Sequence, residues 1–176
     1  FNDGWQLLVS DPAMLEQALE GVTHIWLSHE HPDHFVPAFF MGIPAEVREQ
    51  IQILFQTTND QRVVGFLRNK GFQVTELGPT DTHTIGATRS ESGQVGFYDS
   101  YLWMSDGTHS LININDCVLR DAAALEPVRA RHPSPDLLLT QFSYAAWKGG
   151  RENRAFRDHA AKEKLDVLAL QASELG

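Results

Sequence analysis

Cysteine is almost absent from this chain of 176 residues, with Cys117 the only one. That excludes an internal disulfide and a zinc site built from four thiolates, and it fits a reducing cytoplasm. Basic residues are scarce too, 14 Lys and Arg against 23 Asp and Glu, giving a formal charge of −9 and a pI near 5.2. Surfaces that grip nucleic acid or anionic lipid nonspecifically need clustered cations, so neither partner is expected. No apolar run approaches the roughly 20 residues of a membrane helix, and no basic segment followed by an apolar core marks a signal peptide. These absences leave a soluble, cytoplasmic protein whose partner is a small-molecule substrate. An initiator Met is also missing, and the chain opens at Phe1 in a segment that already reads as strand. A fragment or trimmed product is the expectation, with an adjoining domain or further chain segments as partners.

What is present is enough for a core. At 42% hydrophobic residues, with no linker, repeat or low-complexity tract, residues 1–176 read as a single domain. Trp5 to Val9 reads as strand, and Asp11-Pro12 as an N-cap with proline at the first helical position of a helix reaching Leu19. His24 to Leu27 is the next strand. Pro44 opens a short helix through Arg48 before the strand Ile51 to Phe55, and the aromatic stretch Phe35 to Phe40 is expected to be core beneath a loop. Asn59 or Asp60 caps a helix with Val63, Val64, Phe66 and Leu67 on one face and Gly71 at its end, and Phe72 to Leu77 returns as strand. This β-α-β order implies an α/β layer. Gly78 to Gly93 reads as loop and irregular strand. Val95 to Met104 and Thr108 to Asn115 are two strands around the turn Asp106-Gly107. Ala122 to Ala130 reads as helix, Leu137 to Thr140 as a buried strand, Gly149-Gly150 as a turn, and Arg151 to about Leu170 as a long helix.

The chemistry is concentrated in Thr23 to Phe35, where an apolar strand runs into His29, His31, Asp33 and His34. Imidazoles at i and i+2 on extended backbone point the same way and can share one ion. The Asp33-His34 pair just beyond Pro32 can turn toward a second. A His-rich surface loop would explain neither the acid among the imidazoles nor the hydrophobic strand that delivers them. This H-x-H-x-D-H stretch resembles the signature of the metallo-β-lactamase fold superfamily. The resemblance implies an α+β fold, a four-layer αββα sandwich, here incomplete at both ends, with one or two divalent ions at the end of a core strand.

Two further carboxylates come from the hairpin. With Asp106-Gly107 as a two-residue turn, Ser105 pairs with Thr108, Asp99 falls opposite Ile114, and Asp116 lies one diagonal step away. The acids then share a face at roughly 7–8 Å between α-carbons. Carboxylates so placed can serve ions about 3.5–4 Å apart. The other histidines compete poorly. His24 and His109 lie roughly 16 and 23 Å along their strands from His29 and Asp116, and His83, His132 and His159 have no supporting pattern. Tyr144 and Trp147, following the strand Leu137 to Thr140, are candidate substrate contacts, and Cys117 reads as a buried structural thiol.

The run from Tyr98 to Cys117 is similar to the metallo-β-lactamase-like domain of CMP-N-acetylneuraminate hydroxylase and its bacterial relatives, which show an Asp at the position of Asp99 and an Asp-Cys ending like Asp116-Cys117. Most hydrolases of the superfamily have a His where this chain has Asp99, and nearly all have a last His that is absent here. A final strand bearing it is expected beyond Gly176. The leading expectation is a dinuclear hydrolase that uses metal-bound hydroxide. His29, His31 and Asp99 would hold one ion and Asp33, His34 and Asp116 the other, with Asp116 a bridge and Asp33 an alternative general base. The rival is a non-haem di-iron oxygenase, since a carboxylate at Asp99 makes the site friendlier to iron or manganese than zinc. A non-catalytic metal-binding domain is the third alternative.

Overall fold

The computed structural model describes residues 12–142 and 151–176. Two compact units divide the chain, 1–78 and 79–176. The expected first strand at Trp5 to Val9, the cap at Asp11 and the turn at Gly149-Gly150 lie outside the described residues. Within them, no helix is long and apolar enough to cross a membrane.

In the first unit, helix α1 (Pro12–Leu19) precedes strand β1 (His24–Leu27). The short helices α2 (Pro37–Gly42) and α3 (Ala45–Arg48), strand β2 (Gln52–Gln56), helix α4 (Arg62–Asn69) and strand β3 (Gln73–Leu77) follow. The three strands form a parallel sheet in the order β1-β2-β3, with Leu27 opposite Phe55 and Phe55 opposite Glu76. Helix α4 starts where the Asp60 carboxylate accepts from the Arg62 amide at 2.8 Å, and it ends before Gly71, whose φ of 90° suits a residue without Cβ. Its buried stripe of Val63, Val64 and Leu67 packs with Leu27, Ile53, Phe55, Phe40 and Phe72 in one core. Phe40 is buried in that core and Phe35 packs against it, as expected, but Phe39 is exposed and Pro37–Gly42 is helix rather than loop.

The second unit holds strands β4 (Thr82–Ile85), β5 (Thr88–Val95), β6 (Asp99–Ser105), β7 (Ser110–Asn115) and β8 (Leu137–Thr140), in that spatial order. Pairing is antiparallel from β4 to β7 and parallel between β7 and β8. Helix α5 (Ala122–Arg131) is capped by Asp121, whose carboxylate accepts from the Ala124 amide at 2.9 Å. A 3₁₀ turn at Arg151–Asn153 leads into α6 (Arg154–Leu175). Ile112 and Ile114 of β7 pack with Tyr101, Cys117, Leu119, Leu125, Val128 and Leu175.

Five expectations are corrected here. The stretch 78–93, read as loop and irregular strand, holds the regular β4-β5 hairpin, which the pattern hid because its buried positions are polar. Ser90, Glu91 and Ser92 are all buried, and Glu91 pairs with Arg89 and Arg131. Burial pushes the Glu91 pKa up, but the hydrogen bonds from Arg131 and Arg89 outweigh it and leave it lowered. The expected strand from Val95 to Met104 is broken by a turn at Gly96, where φ is 65°, so that Val95 pairs with Asp99. The next hairpin has a longer turn than two residues. The Asp106 carboxylate accepts from the Thr108 and His109 amides, and Ser105 therefore pairs with Ser110. Finally, β8 is not a buried strand, since Leu137 and Leu139 are exposed. Helix α6 also runs five residues past Leu170, to a buried Leu175.

Candidate metal centre

Strand β1 delivers His29, two residues beyond its end, into a buried position with 1% of its surface exposed. The chain then turns at 32–34. The His31 carbonyl accepts from the His34 amide at 2.9 Å and the Phe35 amide at 2.8 Å, which brings the His34 ring back over His29. Ring centroids of His29 and His34 are 4.2 Å apart, and those of His29 and His31 are 4.5 Å apart. Two imidazoles gathered around a third, buried one gain little from one another as neutral groups, whereas a shared divalent ion suits them. The donor set of this unit therefore fits a metal. Asp33 is the exposed member, its side chain 64% accessible and its Oδ2 3.7 Å from His34 Nε2.

A buried polar network fixes His29. Its Nδ1 meets the Ser28 hydroxyl at 2.9 Å, and the Gln56 amide donates to the Ser28 carbonyl at 2.9 Å. With Nδ1 engaged by Ser28, Nε2 is the nitrogen that would ligate a metal, the usual logic of an outer-shell partner setting the tautomer.

In the second unit, Asp99 opens β6 and Asp116 follows β7 directly. Asp99 pairs with Val95 across β5, while the ladder between β6 and β7 ends at Leu102 and Asn113. Asn115 has a φ of 45° next to a bulge, so Asp116 is set by a bend and not by the diagonal pairing expected of it. Both acids act electrostatically on Cys117. Burial pushes that thiol well above its ordinary range, and the charges of Asp99 and Asp116 add to the shift, as an inert structural cysteine requires. The Gln141 amide donates to Asp116 Oδ1 at 2.8 Å, and the Lys164 ammonium donates to Gln141 Oε1 at 3.1 Å.

The candidate ligands are thus His29, His31 and His34 in the first unit and Asp99 and Asp116 in the second. Tyr144 and Trp147 lie outside the described residues. His109 is in the exposed turn after β6, and His159 is exposed on α6 beside Glu163. His132 is buried and stacked on Trp103 with ring centroids 4.8 Å apart. Sequence reading missed Ser28 and Gln56. The one available signal was a glutamine directly after the apolar run Ile53 to Phe55.

No family model matches the chain, and no curated protein matches it in sequence. Solved structures do. A protein of Veillonella parvula described as "a possible metal-dependent hydrolase" superposes with a TM-score of 0.61 at 17% identity, over 94% of this chain and 68% of that one. CmlA of Streptomyces venezuelae, described as a diiron β-hydroxylase, gives 0.58 at 16% identity over 83% of this chain, which spans only 34% of CmlA. Zn(2+)-bound PqqB of Methylobacterium extorquens gives 0.51 at 14% identity, over 76% of this chain and 55% of that one. The chain has the metallo-β-lactamase fold, an α+β fold shared by these proteins. The narrower likeness to CMP-N-acetylneuraminate hydroxylase rests on the sequence alone.

Proposed function

We propose that the chain is the catalytic domain of a metal-dependent hydrolase with a dinuclear site. His29, His31 and Asp99 would hold one divalent ion and Asp33, His34 and Asp116 the other. The observation that carries this reading is the gathering of the His31 and His34 rings against His29 at the end of β1. The fold supports it, since the Veillonella protein of the same fold is described as a possible metal-dependent hydrolase. Divalent ions held by these residues would supply a water of lowered pKa and a Lewis acid for a carbonyl or phosphoryl oxygen. The chain's own groups do the rest. Ser28 and Gln56 orient His29 and Gln141 orients Asp116; in the alternative role, Asp33, exposed beside His34, would leave the ion to the other ligands and accept a proton from water.

One feature favours a second reading, a non-haem di-iron oxygenase. Asp99 supplies a hard oxygen donor, which suits iron or manganese better than a third imidazole would, and CmlA, of the same fold, is described as a diiron hydroxylase. Elemental analysis of protein purified without added metal tests both readings. About two ions per chain are expected, as zinc for the hydrolase or as iron or manganese for the oxygenase, and His31→Ala should lose most of one. No metal after reconstitution, or unchanged content in His31→Ala, refutes the site. Hydrolysis of activated esters or lactones without oxygen uptake selects the first reading, and reductant-dependent oxygen consumption selects the second.

A further inference from the structure

Beside Asp116 the second unit holds a cavity of about 270 Å³, lined among others by Arg120, Thr140, Gln141, Glu163 and Lys164. Its two cations lack the ion pair that most described basic side chains of this unit make. Arg89, Arg129, Arg131, Arg154 and Lys162 each meet a carboxylate. Among the described residues, neither Arg120 nor Lys164 does, in a protein with nine more acidic than basic residues. The half-buried Lys164 ammonium touches only the neutral Gln141 amide, at 3.1 Å. Glu163, the acid nearest in sequence, lies 3.7 Å from His159 instead. Burial pushes the Lys164 pKa down and the Arg120 charge pushes it further, with Asp116 pulling it partly back. A half-buried cation repelled by its neighbour is an unfavourable arrangement that a bound anion would relieve. The space is ample, several times the roughly 30 Å³ share of one water.

We propose that this cavity is the subsite for an oxyanion carried by the substrate, a carboxylate or phosphoryl group, with Lys164 as its main anchor and Arg120 as the second cation. The subsite rests on the reading of Asp116 as a metal ligand only for its place next to the chemistry. Through Gln141, Lys164 touches both the anion and the ligand carboxylate's partner, so an anionic group seated there ends beside Asp116. The substrate class that follows is a small anionic ester, lactone or hydroxylatable acid, in place of a neutral molecule.

The test is titration of inorganic phosphate and, separately, acetate into the metal-loaded full chain, following amide chemical shifts at 116–120 and 163–165. Metal content is measured on every sample. At least one anion is expected to bind, the stronger of the two naming the group preferred. Lys164→Gln should weaken it about tenfold or more, the loss of one charge-assisted hydrogen bond, Arg120→Gln should weaken it less, and Lys164→Arg should restore it. Unchanged affinity in Lys164→Gln means that the anion sits elsewhere, on the metal included, and overturns the proposal, as does the failure of both anions to bind. Lys164-dependent binding in protein that takes up no metal would keep the subsite and remove the hydrolase reading instead.

Discussion

Ser28→Ala tests whether the network behind His29 is part of the metal site. The hydroxyl that meets His29 Nδ1 at 2.9 Å is itself buried at 3% exposure, and His29 is buried at 1%. Deleting it from the metal-free protein removes one neutral hydrogen bond, about 1 kcal/mol, which in a domain of this size is a fall in Tm of about 2–4 °C. The loaded protein should lose more. An imidazole bound to a cation is a stronger donor from its other nitrogen, so the Ser28 contact gains strength on metal binding, and loss of such a partner typically costs about 10- to 100-fold in affinity. Chelator competition with zinc measures that affinity, and thermal unfolding with and without metal separates it from folding. Ser28→Thr, which keeps a hydroxyl, is expected to stay near wild type. If Ser28→Ala lowers the metal-free Tm but leaves metal affinity within twofold, the network is merely structural and Nε2 of His29 is not the ligating atom.

Asp99→His should shift the metal recovered from cells toward zinc and abolish any oxygen-dependent activity while sparing ester hydrolysis; unchanged metal and activity would remove Asp99 from the ligand set. His132 yields a pH prediction. Burial holds its pKa at about 4 against an ordinary 6.5, so the unfolded chain takes the proton first as pH falls. Its contribution is intact above pH 6.5 and drains away toward about pH 4, by about 3 kcal/mol at most. In His132→Phe, which keeps the stack on Trp103, urea unfolding should fall off less steeply between pH 6.5 and 4.5; an identical slope refutes the assignment. Gly93 pairs across the strands with Tyr101, and a Cβ there would fall on the Tyr101 ring. Gly93→Ala should cost about 1–3 kcal/mol in denaturant titration, and a neutral result would show that the ring can swing aside.

Which parts of the fold could be read in advance depended on how each element buries itself. In the first unit the buried positions are apolar, so the stripe Val63, Val64 and Leu67 and the run Ile53 to Phe55 announced α4 and β2 to within a residue or two. Strand β5 buries Ser90, Glu91 and Ser92, and the Arg131 that satisfies Glu91 lies 40 residues away, so its segment looked like loop. Local patterns cannot report a partner supplied by distant chain. The strand at 137–140 failed in the opposite sense. Leu-Leu-Leu-Thr has the composition of a buried strand, but its burial is decided by what covers it, and alternate leucines are exposed.

The site shows the same division. His29, His31, Asp33 and His34 could be recognised because four side chains able to bind metal fall within six residues. Ser28 and Gln56 could not, since a serine and a glutamine become outer-shell groups only when β1 and β2 pair and carry Gln56 to the Ser28 carbonyl. The two carboxylates are the instructive case. The turn was longer than expected, but by an amount that moves the register two residues and so preserves which side chains share a face. A slip of one would have sent Asp99 to the opposite side. Yet parity alone does not deliver Asp116, because the pairing has already stopped at Asn113. What delivers it is Asn115 in the left-handed region, an asparagine being among the few residues that adopt it at low cost, with its amide bonded to the Asn113 side chain at 3.0 Å. The Asn-x-Asn-Asp-Cys run therefore encodes the bend as well as the candidate ligand, and Asn115→Val should misplace Asp116 more than any change in the Asp106-Gly107 turn.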